Sequence, residues 1–371
     1  MEHKIFDCTI IGGGLAGLSL AILLAQKNYA VLLIEKKTYP YHKVCGEYIS
    51  NESWDFLVRL GIPLDQLNLP QIHEVRITGV DGSEVSENMT LGGFGISRFT
   101  LDKLLAEQAK LLGVTLLEST TCTKYEKKAD QFVVNTSTGI FNSRLLVAGF
   151  GRHAFGNFYK AKKESENWIG VKYHIDYKVP IQQIALHTFK DGYAGISKVD
   201  HQRYCLCYLV RASLLKTYQN KIPELEKNEL CKNPFLHEIF THASFLYEKP
   251  LTVSNITFDI KKPVIDDVFY IGDSAGAIAP LTGNGMSNAM RSAHLLSLNI
   301  DDFLAKRISF NQLKTNYTTS WNQAFKIRIN KGPLIQHFFC NHGLTPFFIG
   351  LMKQSKWLRK MVIKQTHGER F

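Results

Sequence analysis

The order of apolar and polar stretches predicts a parallel β–α–β unit at the start of the chain. Residues 5–11 form an apolar run rich in strand-forming residues, residues 15–27 have the small and apolar residues of a packed helix, and residues 30–35 form a second apolar run. A strand, a glycine turn, a helix and a strand within about 30 residues are typical of a doubly wound parallel sheet. We therefore expect an α/β fold that starts from this unit.

The pattern changes in the middle of the chain. A helix is predicted at 100–112, and short strands are predicted at 114–118, 131–136 and 144–148. Alternating residues and many aromatics then predict antiparallel strands at 168–175, 184–189, 192–199 and 203–210. A further parallel strand is predicted at 264–272, and the C-terminal third is predicted to be mostly helical.

The turn after the first strand, residues 12–17 (GGGLAG), carries the first chemical signal. Gly12 permits the tight turn, Gly14 lets the backbone approach a diphosphate, and Gly17 lets the helix pack closely on the strand. The helix that follows directs its free N–H groups at the phosphates. Glu35, after the second strand, is placed to accept hydrogen bonds from an adenosine ribose. A dinucleotide is therefore expected to contact Gly12, Gly14, Ala16, Gly17 and Glu35.

A second motif distinguishes FAD from a nicotinamide dinucleotide. In residues 268–290 an apolar strand ends at Gly272 and Asp273, a loop of small residues follows, and a helix is predicted to start near Gly285. The Asp273 carboxylate can accept hydrogen bonds from ribityl hydroxyls, which nicotinamide dinucleotides lack. Gly283 and Gly285 let the backbone lie against a flat ring, and the helix directs the positive end of its dipole towards that ring. We therefore expect bound FAD.

These patterns together predict an α/β fold with an α+β insert. A doubly wound, Rossmann-like FAD-binding domain is expected to be discontinuous, at 1–75, 97–165 and 260–300. An interleaved antiparallel-sheet domain for the substrate is expected at 76–96 and 166–259. Residues 301–371 are expected to form a helical, basic C-terminal segment.

With these motifs, the sequence resembles the flavoprotein superfamily of para-hydroxybenzoate hydroxylase-type enzymes, flavin-dependent halogenases and geranylgeranyl reductases. The resemblance runs from residue 4 to about 300 and implies that Arg98, in the segment SRFTLDKLL, also contacts FAD. Arg98 stands just ahead of a predicted helix, where it can pair with a phosphate. Residues 41–50 (YHKVCGEYIS) are similar to the Lys-x-Cys-Gly segment of geranylgeranyl reductase-like proteins. This similarity places Cys45 near the flavin, where its thiol either donates a proton during C=C reduction or only shapes the pocket.

Two segments depart from the superfamily pattern. Phe150 stands where an Asp-Gly motif associated with FAD and NADPH contacts is expected, so the electron donor is either NAD(P)H or a separate reduced carrier. Of the halogenase tryptophan motif only Trp168 remains, and the aromatic stretch of the reductases is reduced to residues 192–196 (GYAGI). The usual features of a substrate channel are therefore only partly present.

The composition indicates the cellular compartment and argues against disulfide and metal chemistry. The seven cysteines are scattered without a CxxC pair, and the 13 histidines show no HxxxH or HExxH spacing, so neither a disulfide framework nor a metal site is expected. No apolar run reaches the ~18–20 residues that span a bilayer. The N-terminal apolar stretch is interrupted by Asp7 and three glycines, unlike a secretory signal. We expect a cytoplasmic protein.

The formal charge of +11 is concentrated near the C-terminal end, where residues 301–371 contain 12 of the 44 Lys and Arg residues but 3 of the 33 Asp and Glu residues. On a helical wheel, apolar and basic residues of 336–364 take opposite sides: Leu351, Met352, Leu358 and Val362 against Lys353, Lys356, Lys360 and Lys364. Such a helix either packs on its own domain with a solvated lysine face or lies on an anionic membrane. Nucleic-acid binding is not expected, because the basic residues alternate with core-like apolar residues.

The sequence thus predicts an FAD-dependent oxidoreductase acting on a hydrophobic substrate, of isoprenoid, lipid or polyketide type. The expected reaction is reduction of a C=C bond by hydride transfer from reduced flavin. One alternative is an FAD-dependent monooxygenase that hydroxylates an aromatic or lipid substrate. A second alternative is a non-catalytic flavin- or lipid-binding protein.

Overall fold

The computed structural model of the protein describes residues 5–152, 167–256, 261–276, 284–340, 344–364 and 368–371; side chains are not described for 327–340 and 362–364. The described strands are β1 (Ile5–Ile11), β2 (Val31–Ile34), β3 (Tyr48–Ser50), β4 (Gln71–Thr78), β5 (Glu84–Gly95), β6 (Thr115–Leu117), β7 (Cys122–Lys128), β8 (Gln131–Thr136), β9 (Gly139–Ala148), β10 (Trp168–Asp176), β11 (Gln183–Phe189), β12 (Gly192–Lys198), β13 (Tyr204–Arg211), β14 (Ser244–Phe245), β15 (Leu251–Ile256), β16 (Val264–Ile265) and β17 (Val268–Tyr270). The helices are α1 (Leu15–Ala25), α2 (Trp54–Arg59), α3 (Arg98–Leu111), α4 (Ala212–Thr217), α5 (Ile222–Asn228), α6 (Pro234–His242), α7 (Gly285–Leu304), α8 (Phe310–Cys340), α9 (Thr345–Gln354) and α10 (Lys356–Lys364).

The first sheet contains the predicted β–α–β unit. Its strand order is β16-β17-β9-β1-β2-β6, with β8 also paired to β9 and β7 to β8. The neighbours β1–β2, β1–β9, β2–β6 and β9–β17 are all parallel. Helix α1 connects β1 to β2 and is buried on nearly every side, because α7 and α3 also pack on it. The predicted α/β architecture is confirmed.

The predicted single strand at 264–272 is wrong. The structure has two short antiparallel strands there, β16 and β17, and only β17 continues the parallel sheet by pairing with β9. The turn between them is made by Asp266 and Asp267, whose φ angles are +48° and +63°. Aspartate tolerates this left-handed conformation better than most residues, so the apolar run is interrupted where two aspartates stand together.

The second sheet has the order β14-β10-β13-β12-β11-β4-β5-β3, with β15 paired to β10. Its pairs are antiparallel except for β11 and β4. The predicted start of this unit is residue 76, whereas β4 begins at Gln71 and β3 at Tyr48. Because β3 has three residues, it is too short to show alternation, and only its pairing with β5 places it in this sheet.

Helices α4, α5 and α6 cover one side of the second sheet, opposite the side that carries Lys172. Tyr173 on β10 and Tyr208 on β13 both donate hydrogen bonds to Oε1 of Glu226 on α5, at 2.9 and 2.8 Å. Burial raises the pKa of Glu226 to about 7. This second core holds the sheet in place while its other side is available to the site.

The C-terminal third is mostly helical, as predicted, and α9 and α10 pack on β5. Ile349 and Met352 are buried in the cluster on the second sheet. Leu351 is exposed and Met352 is buried, so these two residues do not share one side, as a single helix through 336–364 predicts. The segment instead contains two helices, α9 and α10, which are separated at Ser355.

Candidate functional site

In the glycine turn between β1 and α1, Gly12 and Gly17 pack closely against other backbone atoms, whereas Gly14 faces open space. Gly12 has a φ of +107°, and a Cβ on it would lie 2.6 Å from the carbonyl oxygen of Gly149. A Cβ on Gly17 would lie 2.0 Å from the carbonyl oxygen of Gly12. A Cβ on Gly14 would meet no atom of the described chain within 4 Å. Since α1 starts directly after Gly14, open space and free helical N–H groups occur together, as a diphosphate requires.

Glu35, directly after β2, is bonded to this turn. Its Oε2 accepts a hydrogen bond from the N–H of Gly13 at 2.7 Å. Its Oε1 accepts hydrogen bonds from the N–H of Lys37 at 3.0 Å and the hydroxyl of Tyr41 at 3.1 Å. The hydroxyl of Tyr39 donates to the carbonyl oxygen of Gly13. The glycine pattern identified Glu35 but gave no signal for the two tyrosines.

The second glycine turn lies against the first. A Cβ on Gly272, where φ is +59°, would lie 3.1 Å from the Cβ of Ala16 in α1. The N–H of Gly272 donates to Oγ of Ser292 in α7 at 2.8 Å. Asp273 accepts a hydrogen bond from Nε of Arg152 at 2.7 Å. The fold thus brings the two motifs, which are far apart in the sequence, into one site.

Helix α7 begins at Gly285, as predicted. Oδ1 of Asn284 and Oγ of Ser287 are buried and have no hydrogen-bond partner within the described part of the chain. A Cβ on Gly285 or on Gly46 would likewise meet no described atom within 4 Å. Because buried polar atoms in native proteins are nearly always paired, a ligand with hydrogen-bonding groups fits this open space. Gly283 lies outside the described residues.

These residues fit FAD. The open Gly14 at a helix N terminus suits the diphosphate, and the unpaired polar atoms at the start of α7 suit the polar edge of the flavin. A cavity beside the second turn is lined by Gly272, Asp273 and Gly285, together with Trp321 and Phe325 of α8. The contribution of α8 was missed, because an aromatic pair on a helix is more often part of a core.

Arg98, the first residue of α3, is predicted to contact FAD. Its Nε and Nη2 donate to the two carboxylate oxygens of Asp102 at 2.8 and 2.9 Å, and Nζ of Lys43 lies 2.8 Å from the same carboxylate. Burial favours the protonated form of Asp102, but Arg98 and Lys43 outweigh it and hold the pKa of Asp102 below its usual value. The guanidinium is therefore fixed by a residue four positions along the helix, and its contact with a phosphate stays a prediction.

Cys45 lies in a segment without regular structure, residues 43–47, here named the Cys45 loop. Nζ of Lys172 donates to the carbonyl oxygen of Lys43 at 3.2 Å, and the Cys205 thiol donates to the carbonyl oxygen of Cys45 at 3.3 Å. Sγ of Cys45 lies 3.5 Å from Sδ of Met286 in the first turn of α7. The Cys45 loop is therefore held between the second sheet and α7, beside the open space described above.

Glu47 ends the Cys45 loop with a φ of +55° and a fully buried side chain. Its Oε1 accepts hydrogen bonds from Nζ of Lys172 at 2.5 Å and from the N–H of Arg98 at 2.8 Å. Its Oε2 lies 2.6 Å from Nε2 of His174, whose Nδ1 lies 2.9 Å from the hydroxyl of Tyr247. Burial favours the protonated form of Glu47, but His174 and Lys172 outweigh it and lower its pKa. A buried ion pair thus joins the Cys45 loop to the second sheet.

This ion pair was not predicted from the sequence. In the sequence, Lys172 and His174 alternate with apolar residues in a predicted strand, and this alternation could have indicated charged side chains on a buried face. Ligand atoms of Glu47, His174 and Cys205 also lie within 4.8 Å of one another, a grouping that local histidine spacing does not detect. Burial, followed by the charge of Glu47, raises the pKa of the Cys205 thiol well above its usual value, and Lys172 already neutralises Glu47. The group fits an internal ion pair, and the absence of a metal stays a prediction.

A row of small and apolar residues lies beside Lys172 on the same side of the second sheet. Lys172 is paired with Cys207, Cys207 with Gly195, and Gly195 with Leu186. Directly paired residues share one face of a sheet, so this row lies on the side from which Lys172 contacts the Cys45 loop. Cys207, Gly195 and Leu186 are all partly exposed. This is the lining that an apolar ligand needs.

Known proteins resemble this chain over most of its length. It is 22% identical over 357 residues to conditioned medium factor receptor 1 of Dictyostelium discoideum. The alignment covers 87% of this chain and 69% of that protein. It is 21% identical over 357 residues to a digeranylgeranylglycerophospholipid reductase of Methanococcus vannielii, covering 86% of this chain and 82% of the reductase.

Two solved structures share the fold. The flavin-dependent brominase Bmp2 superposes with a TM-score of 0.79 at 19% identity, covering 98% of this chain and 93% of the brominase. A geranylgeranyl bacteriochlorophyll reductase-like protein from Thermoplasma acidophilum superposes with a TM-score of 0.79 at 16% identity, covering 99% of this chain and 97% of that protein. Residues 6–315 match the family described as FAD binding domain. Because this match covers most of its length, the chain belongs to the FAD binding domain family and is an FAD-dependent oxidoreductase.

Proposed function

We propose that the protein reduces a C=C bond in a hydrophobic substrate of isoprenoid, lipid or polyketide type. The observation that carries the proposal is the position of Cys45, whose loop lies between the start of α7 and the apolar side of the second sheet. The name of the Methanococcus reductase supports the substrate class. The similarity to the brominase supports the fold alone.

The roles of the residues follow from their places. Bound FAD, once reduced, supplies a hydride for one carbon of the double bond. The Cys45 thiol gives a proton to the other carbon and is reprotonated from water. Cys207, Gly195 and Leu186 bind the apolar chain and exclude solvent from it. Lys172 and Glu47 position the Cys45 loop.

For the electron donor we favour a separate reduced carrier over NAD(P)H. Phe150 occupies the position of the expected aspartate and packs edge-on against Tyr270, with ring centroids 6.3 Å apart. A phenylalanine offers no carboxylate for the contact with NADPH. We expect NADPH to bleach the bound flavin slowly and a low-potential carrier protein to bleach it fast, as followed by stopped-flow absorbance.

The reaction is tested with the purified, FAD-loaded protein, reduced by dithionite without air and offered a lipid that carries geranylgeranyl chains. We expect a product heavier by two hydrogens for each reduced double bond, together with return of the oxidised flavin spectrum. In a parallel assay under isotopically labelled dioxygen, oxygen incorporated into the product would instead establish the monooxygenase alternative. A flavin that binds but turns over neither way would favour the non-catalytic alternative.

The role of Cys45 has its own test. Cys45→Ala should lower turnover by about 10²-fold while FAD stays bound, because general acid catalysis contributes about this much. Cys231→Ala is the matched control, since Cys231 is also a partly buried free cysteine but lies between α5 and α6. Turnover of Cys45→Ala equal to that of the control would remove Cys45 from the mechanism.

A further inference from the structure

The described apolar side chains on the inward side of α9 and α10 pack on the second sheet. Ile349 and Met352 of α9 are buried against the second sheet, with Leu358 of α10 beside them. Arg359 donates from Nε to Oε2 of Glu87 on β5 at 2.9 Å. Its Nη1 donates to the carbonyl oxygen of Met352 at 2.6 Å. Arg359 thus fixes α10 to both α9 and the sheet, so the outward sides of the two helices have a defined orientation.

A second set of apolar side chains remains on the outward sides. Phe347 is 68% exposed and Trp357 is 72% exposed. Each stands four residues before another exposed apolar residue on its own helix, Leu351 on α9 and Met361 on α10. Residues four apart share one face of a helix. We name Phe347, Leu351, Trp357 and Met361 the outer apolar face.

The charged residues on these two helices are all basic. Lys353, Lys356 and Lys360 are exposed on the same two helices, and residues 345–364 contain no Asp or Glu. An exposed surface of aromatic and aliphatic residues flanked by lysines matches the boundary of an anionic bilayer, where rings enter the headgroup region and ammonium groups meet lipid phosphates. A second copy of this chain fits less well, because a twofold contact would bring lysines against lysines.

We propose that the outer apolar face and its lysines dock the protein on the surface of an anionic lipid bilayer. Within the described residues, no helix is both long and apolar enough to cross a bilayer. Trp357 and Phe347 enter the headgroup boundary, and Lys353, Lys356 and Lys360 bind the anionic headgroups. The proposal does not depend on the reaction, since binding is measured without substrate.

The test uses the FAD-loaded protein and vesicles of phosphatidylcholine with or without phosphatidylglycerol, separated by sedimentation. We expect binding to the anionic vesicles, a blue shift of tryptophan fluorescence, and release by high salt. Phe347→Ser/Trp357→Ser should weaken binding by about tenfold or more, and so should Lys353→Glu/Lys356→Glu/Lys360→Glu.

Matched controls are available on other surfaces. Leu111→Ser removes an exposed leucine of α3, and Lys227→Glu reverses an exposed lysine of α5; both should bind vesicles as the unchanged protein does. Retained flavin shows that each variant is folded. The proposal is overturned if neither kind of vesicle retains the protein, if the controls weaken binding equally, or if the outer apolar face instead forms a dimer in the absence of lipid.

Discussion

Replacing Lys172 with methionine should lower the free energy of unfolding by about 3–5 kcal/mol, since the buried carboxylate of Glu47 loses its ammonium partner. Lys172 and Glu47 both have fully buried side chains. Methionine has a similar length but cannot donate to Glu47 or to the carbonyl oxygen of Lys43. Urea titration followed by circular dichroism measures the loss, and the rate at which a thiol reagent labels Cys45 should rise as its loop is released.

The double variant Glu47→Gln/Lys172→Met separates the charge from the packing. With a neutral amide in place of the carboxylate, no buried charge is left alone, so much of the stability should return. Lys227→Met, at an exposed position on α5, is the control and should change the free energy of unfolding by less than about 0.5 kcal/mol. A Lys172→Met protein as stable as this control would show that the ion pair is not needed.

Replacing Gly14 with leucine should weaken FAD binding by about 10²-fold or more, equivalent to about 3 kcal/mol, while the protein without FAD stays folded. The backbone at Gly14 has φ −80° and ψ −176°, an extended conformation that any residue adopts. A side chain there meets no described atom of the protein but occupies the space in which the diphosphate is expected. Titration of the FAD-free protein with FAD, followed by absorbance and flavin fluorescence, measures the affinity.

Two other glycines serve as comparisons. Gly17→Ala should destabilise the protein itself by about 1–3 kcal/mol, because its Cβ would overlap the backbone of Gly12. Gly350→Leu, on α9, also adds a side chain into open space and should leave FAD binding unchanged. If Gly14→Leu binds FAD as tightly as Gly350→Leu does, the diphosphate lies elsewhere.

The Lys172 prediction concerns a junction between the second sheet and α7. The Cys45 loop receives hydrogen bonds from Lys172, His174 and Cys205 of the second sheet, and its Cys45 contacts Met286 of α7. The part that binds FAD and the part that we propose to bind the substrate are therefore connected through the residue proposed to donate the proton. A change in the position of the second sheet would move Cys45 directly.

The sequence by itself determined the elements whose causes are local. The close contact of Gly17 with Gly12 arises within six residues, and the parallel strands on either side of α1 follow from continuous apolar runs. The start of α7 at Gly285 and the antiparallel strands of the second sheet were likewise predicted, because periodicity and glycine content are properties of short segments. These features identified a dinucleotide site and its two motifs.

Only the tertiary structure decided which distant residues meet. Glu47 and Lys172 are separated by 125 residues, and neither has a local pattern that names its partner. The outward position of Leu351 depends on how α9 packs on β5, and the contact of Ala16 with Gly272 depends on the order of strands in the first sheet. Such contacts arise because strand register and helix packing fix the distances between segments, and a pattern within one segment contains no information about that distance.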